Sequence, residues 1–246
     1  MIYERLKQVV EREERAALFT VVEGEALGAK LLVLESGETL GDGTAELAER
    51  APELIRRGRN ELLELPGGRV FCEIYQPAPR LLVIGAVDTA EELCRAAKQL
   101  GWRTIVADAR GKFATNERLP SADEILVAWP DEALARVAPD HQTAVIVLTH
   151  DDKFDTPALT GALATEAFYV GALGSRRNQE RRRERLLEAG VAEHELDRIV
   201  GPCGLDIGAN TPAETAVSIL AEILAVRAGR SGGRLCESRT RIHAEV

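Results

Sequence analysis

Two rhythms of apolar residues run through this chain. From Arg80 to Asp108 it reads RLLVIGAVDTAEELCRAAKQLGWRTIVAD. Leu81, Leu82, Val83 and Ile84 form an unbroken apolar run, suited to a strand buried on both faces. Gly85 ends the run. Asp88 or Thr89 is placed to cap a helix, and Glu91 and Glu92 fall in its first turn, where the helix dipole favours acid. Leu93, Ala96, Ala97 and Leu100 recur at helical spacing; Gly101 then stops the helix, and Thr104 to Ala107 is a second apolar run. The pattern predicts strand, helix, strand, a βαβ crossover.

The same alternation continues downstream. It predicts strands at 125–128, 144–148 and 168–170, and helices at 131–137, over 157–163, and at 176–189 and 212–227. Pro202 to Ile207 reads as irregular chain or a short strand. Strands alternating with helices predict a Rossmann-like, doubly wound parallel sheet over 80–228. Residues 1–76 follow another pattern, that of a small α+β domain: a helix over 2–16, strand character at 18–22 and 30–34, and a turn at 35–38. Gly41-Asp42-Gly43-Thr44 is a turn able to start a helix at 45–57, and strands at 61–65 and 70–75 flank Pro66-Gly67-Gly68 as a hairpin. No catalytic cluster stands out in this region, which reads as a packing or dimerisation unit. Gln76-Pro77-Ala78-Pro79 is a stiff boundary. The polar tail, 229–246, is expected to be poorly ordered or to lie across the surface.

Composition narrows the class. The net charge of -9 over 246 residues argues against general nucleic-acid binding. No apolar run approaches the ~20 residues of a membrane span. The N-terminus is a charged amphipathic helix rather than a signal peptide. Cys72, Cys94, Cys203 and Cys236 lack metal-site spacing and read as reduced thiols, so a cytoplasmic protein is expected.

In open α/β sheets ligands bind beyond the carboxyl ends of the strands, and the turns there are expected to meet at one pocket. The first turn carries an incomplete dinucleotide fingerprint, Gly85, Val87 and Ala90, with a branched side chain where the second glycine belongs and with Asp88 adding negative charge. Asp108 stands where such folds place the acid that holds a ribose hydroxyl, and Arg110 lies two residues on. The next turn is Thr149-His150-Asp151-Asp152, able to ligate a metal, to move a proton, or simply to cap a helix. The following one is Gly171-x-x-Gly174-Ser175-Arg176-Arg177, whose glycines and helix start suit a phosphate. Six arginines fall between Arg176 and Arg185, the later ones reading as a solvated face. The last turn runs from Gly204 through Asp206 and Gly208 to Thr211-Pro212-x-Glu214, a capping box with proline at the first helical position.

Taken together and in order, GGRVFCEIYQPAPRLLVIGA, VADARGKFAT, THDDKFD, YVGALGSRRN and GLDIGANTPAETAVSILAEILAVR resemble the xanthine dehydrogenase accessory factor (XdhC/CoxI) family. The resemblance covers roughly residues 66–228 well and the N-terminal part more loosely. It implies a cytoplasmic, commonly dimeric chaperone. Such a protein binds the molybdenum cofactor, as molybdopterin or its dinucleotide form, assists its sulfuration, and hands it to a molybdenum hydroxylase apoenzyme of the xanthine or carbon monoxide dehydrogenase type, with a cysteine desulfurase as a further partner. The implied cofactor-binding residues are Gly85, Asp88, Asp108, Arg110, Thr149, His150, Asp151, Gly171, Gly174, Ser175, Arg176, Gly204, Asp206, Gly208 and Thr211, with no catalytic residue among them. The chain departs from the family pattern at GAVDTA, which lacks a second glycine and a histidine, at Thr44, where a cysteine is usual, and at Asp152. Cys203 is the thiol best placed to substitute, although a buried structural thiol is the simpler reading. The competing reading is an NAD(P)-binding oxidoreductase that uses Asp108 or Arg110 at the ribose; a further one is a scaffold that only contacts the partner enzyme.

Overall fold

A computed structural model describes residues 1–149 and 151–239. The chain divides into two compact units, Met1–Pro77 with the segment from Leu235 onward, and Ala78–Arg234. Among the described residues no helix is long and apolar enough to cross a membrane.

The first unit is a five-stranded antiparallel sheet with one helix on each face. Its elements are α1 (Ile2–Glu11), β1 (Ala16–Gly24), β2 (Lys30–Leu34), β3 (Thr39–Gly41), α2 (Ala45–Arg57), β4 (Glu61–Leu65) and β5 (Gly68–Tyr75), and the strand order is β3-β2-β1-β5-β4. Alternation along β1 and β2 sorts the side chains between the faces. Phe19, Leu31 and Val33 pack with Leu47, Ala51 and Leu54 of α2, whereas Leu18, Leu32 and Leu34 pack with Val9 of α1. The first helix stops five residues short of the predicted Ala16, because Ala16 and Ala17 are the buried start of β1.

The second unit is the parallel sheet. In chain order it contains β6 (Arg80–Ile84), α3 (Asp88–Gln99), β7 (Arg103–Ala107), β8 (Glu124–Leu126), α4 (Pro130–Val137), β9 (Thr143–Val147), α5 (Asp152–Leu163), β10 (Tyr169–Ala172), α6 (Arg176–Glu188), α7 (Glu193–Leu196), β11 (Ile199–Val200) and α8 (Pro212–Arg227). The order is β11-β10-β9-β6-β7-β8, and every pairing is parallel. The unbroken apolar runs are buried on both faces, as their pattern predicts. Leu81, Val83 and Ile146 pack with α3 and α8, while Leu82, Ile84 and Val145 pack with α4, α5 and α6. The chain leaves β6 for β7 on one side and returns to β9 on the other, so the topological switch point lies between β6 and β9. The irregular stretch 202–207 follows a two-residue strand, β11, and the short α7, which the apolar pattern does not announce.

Candidate functional site

The carboxyl ends of β6, β7 and β9 meet at the switch point, and there the crevice is closed. Its free volume is about 10 Å³, walled by Gly85, Asp108, Ala128, Pro130, Thr149 and Phe154. A β-carbon on Gly85 would lie 3.1 Å from the Thr149 methyl, so the β6 and β9 turns already touch.

Asp108 is buried, and its carboxylate is fully engaged by the protein itself. Oδ2 accepts the Ala86 amide at 2.9 Å and Arg110 Nη2 at 2.8 Å. Oδ1 accepts the Arg110 amide and Nε, each at 2.9 Å. Burial opposes ionisation, but the Arg110 guanidinium and the two amides outweigh it and hold the carboxyl below its ordinary range. Arg110 in turn stacks over Phe113, 4.5 Å from the ring centre, and lies 5.7 Å from that of Phe154. Phe154 also meets Trp129, ring centres 5.1 Å apart. The group that a ribose hydroxyl would use is therefore tied to Arg110, beneath an aromatic roof.

Asp88 does not cap α3. Val87 is the N-cap, with no side-chain hydrogen bond, and Asp88 is the first helical residue, exposed and 3.2 Å from Arg118. Val87 supplies only backbone at the cap because its side chain has no acceptor.

Thr149 is buried and donates to Asp155 Oδ1 at 2.6 Å. Asp155 Oδ2 accepts Arg182 Nε at 2.9 Å and Nη2 at 2.6 Å. Arg182 also donates to Gln179 Oε1 and, at 3.1 Å, to the Leu173 carbonyl. One buried ion pair thus ties the end of β9 to the turn after β10. The sequence pattern puts Arg182 on a solvated face, but its side chain is only 5% exposed. Arg182 shares a helix face with buried Leu186, one turn on, and that is the sole hint the sequence offers. Asp151 caps α5 by accepting the Lys153 amide at 3.2 Å. His150 lies outside the described residues. Among the described residues no group of three or more His, Cys, Asp or Glu side chains is placed to hold a metal.

Gly171 is not part of a ligand loop. It lies within β10, where a β-carbon would fall 2.5 Å from the Tyr169 ring, so it is glycine for packing. Gly174 and Ser175 do form the opening of α6. Gly174 has φ +138°, a conformation that L side chains rarely adopt, and Ser175 caps the helix through the Asn178 amide at 3.3 Å. Arg176 is the exposed first residue of the helix. Beside this start lies an open polar cleft of about 430 Å³, lined by Asp151, Asp152, Asn178, Arg181 and Arg185, with the Asp155–Arg182 pair at its base. Arg185 reaches Asp152 at 2.9 Å, and Arg181 donates to Asn178.

The last turn keeps to itself. Gly204 donates to Glu222 at 2.8 Å and Leu205 to the Ser218 carbonyl at 3.2 Å, both on α8. Thr211 and Glu214 form the expected capping box, and Asp206 and Gly208 are exposed. This segment lines neither the crevice nor the cleft. Among the described residues the predicted turns do not line one pocket. Gly85, Asp108 and Thr149 meet at the closed crevice, Asp151 joins the α6 start at the polar cleft, and Gly204 to Thr211 stands apart.

Cys203 is buried near Tyr169 and Glu222, and the Tyr169 hydroxyl donates to Glu222. Burial, then the nearby Glu222 charge, pushes the thiol up to about 12. Cys94 is likewise pushed up by burial to about 12. Thiols of this kind are inert at neutral pH. With iodoacetamide at about pH 8, both should alkylate on the order of a thousandfold more slowly than an unperturbed exposed thiol, as the thiolate fractions require. Peptide mapping checks this, and rapid labelling of either residue in folded protein would refute it.

The family model of the XdhC Rossmann domain matches residues 81–223, more than half of the chain. A probable xanthine dehydrogenase component from Bacillus subtilis is 32% identical over 158 residues, covering 64% of this chain and 46% of its own. A molybdenum cofactor insertion chaperone, PaoD, from Escherichia coli is 30% identical over 153 residues, covering 62% of this chain and 42% of its own. The chain thus spans less than half the length of these curated relatives. A crystal structure of a xanthine dehydrogenase from Bacillus halodurans superposes with a TM-score of 0.70 at 25% identity, covering 92% of this chain and 66% of that one.

Proposed function

Since the chain belongs to the XdhC family, with its Rossmann domain at residues 81–223, we propose that it is an accessory protein that carries the molybdenum cofactor as cargo. The relative named as a molybdenum cofactor insertion chaperone supports the reading. The observation that carries it is the α6 start: Gly174 at positive φ, the Ser175 cap and Arg176, beside a cleft in which Asn178, Arg181 and Arg185 stand with Asp151 and Asp152, the last paired to Arg185. Backbone amides at a helix start, joined to guanidinium groups, suit the phosphate of an anionic pterin. Holding and releasing cargo needs such donors and no nucleophile. The closed crevice at Asp108 argues against a pyridine dinucleotide in the usual Rossmann position.

The finer reading is that the protein shields the cofactor during sulfuration by a cysteine desulfurase, then docks as a homodimer on a molybdenum hydroxylase apoenzyme of the xanthine or carbon monoxide dehydrogenase type. Sulfur does not travel through Cys94 or Cys203, whose thiols are buried and protonated. The test is to incubate the protein with molybdenum cofactor, NADH and NADPH in parallel and to measure retention after gel filtration. Molybdenum should be retained and pyridine nucleotide should not. Arg176→Ala should weaken molybdenum retention about tenfold, the value of one charge-assisted hydrogen bond, with its melting temperature unchanged. Equal retention by the variant would remove this turn from the site, and retention of NADH alone would overturn the carrier reading.

A further inference from the structure

The largest cavity described is in the N-terminal unit, which the sequence presents as a packing or dimerisation domain. It is an open groove of about 970 Å³, at the upper end of the range of small-ligand sites. It lies over the part of the sheet just beyond the start of α2. The floor is apolar: Val21 and Leu65 are partly exposed there, and the buried core residues Phe19, Leu31, Leu47 and Val70 also line it. The rim is acidic, with Glu23, Glu25, Asp42 and Glu46, and among the described residues no lysine or arginine lines the groove. Arg69 pairs with Glu23 and Arg50 lies 3.9 Å from Glu46; Glu25 and Asp42 have no ion pair among the described residues. The groove's end wall is built from backbone. Gly24 faces Gly68 in the β1–β5 register, and a β-carbon on Gly24 would fall 2.2 Å from the Gly67 carbonyl oxygen. The close approach of these two strand ends forbids side chains there.

An acidic rim repels an anionic pterin or nucleotide, so this groove is not suited to the proposed cargo. An apolar floor within a ring of carboxylates complements the opposite pattern. We propose that the groove is a docking site for a partner protein, which it grips by a short segment of apolar side chains flanked by lysine or arginine. The inference stands independently of the carrier reading, because no residue of the α6 start takes part in it.

The full chain can be titrated by fluorescence anisotropy with a short labelled helical peptide of leucines and lysines, alongside serine–lysine and leucine–glutamate peptides of equal length. The leucine–lysine peptide should bind and the other two should not. Glu25→Lys/Asp42→Lys should weaken binding by about tenfold or more, as lost charge pairing at a partly desolvated rim requires. Glu184→Lys/Glu188→Lys, the same charge change on exposed positions of α6, should leave binding within about twofold. Ala26→Trp, at an exposed position lining the groove, should block binding with an unchanged melting temperature. Equal binding of the serine–lysine peptide, equal loss in the α6 control, or indifference to Ala26→Trp would each overturn the proposal. So would a groove variant that changes only the protein's own oligomeric state.

Discussion

Replacing Arg182 with alanine should lower the melting temperature of the C-terminal unit by ~10 °C. Removing one partner of a buried ion pair costs roughly 3–5 kcal/mol, and each kcal/mol moves the midpoint of a unit of this size by ~2–4 °C. The cost arises because Asp155, 2% exposed, would lose its guanidinium partner and be left, among the described residues, with the Thr149 hydroxyl as its side-chain donor. Asp155→Ala should cost a similar amount by stranding the guanidinium. The double variant Asp155→Leu/Arg182→Met should recover most of the loss, since well-packed apolar side chains often replace a buried pair without penalty. Calorimetry of the four proteins measures each midpoint. The pair also holds the turn before α6, because Arg182 donates to the Leu173 carbonyl. The recovered double variant should therefore still retain molybdenum poorly, which separates positioning from bulk stability. An unchanged midpoint in Arg182→Ala would show that the pair is not buried in solution.

Arg182 also marks where sequence reading reaches its limit. Strands β6, β7 and β9 are legible as apolar runs because burial on both faces leaves few polar positions, Thr104 and Thr143 among them, to confuse the period. The α8 start is legible because Thr211, Pro212 and Glu214 satisfy local amides within four residues. Local rules also find the Ser175 cap. They fail where the partner is remote. Asp155 and Arg182 are 27 residues apart, and an arginine that faces inward looks the same in sequence as one that faces water. Gly171 stands among loop glycines in the sequence yet belongs to a strand, because what excludes its β-carbon is Tyr169 and Ile146 rather than a ligand. Phe154 is hidden in the same way: its place in the first turn of α5 is ordinary, and only the return of β9 beside β6 brings it over the crevice. The N-terminal groove leaves no trace in the sequence, since each of its residues taken singly is typical of a strand end or a turn.

Asp108→Asn should separate the two meanings an acid can have at this position. As a ribose ligand it would be dispensable to the fold, and its loss would abolish nucleotide binding alone. As the anchor of Arg110 it is structural, since its carboxylate accepts four hydrogen bonds from Ala86 and Arg110. The structure has the second arrangement, so the variant should lose roughly 2–3 kcal/mol at neutral pH, the scale of hydrogen bonds to a charged group. The pH dependence fixes the sign. The folded carboxyl titrates below its unfolded value, so its stabilisation is complete above about pH 4, the ordinary aspartate range, and is lost as pH falls through the lower folded value. Urea unfolding of wild type and variant should show a gap that is constant from neutrality down to about pH 5, begins to narrow at about pH 4 and closes only below the lower folded value, where the wild-type side chain is itself protonated. Releasing Arg110 also loosens its stack on Phe113 and Phe154, so proteolysis should begin in the segment after β7. A gap that persists at low pH would mean that asparagine fails for steric reasons; no gap at neutrality, together with lost NADH binding, would return Asp108 to the ribose.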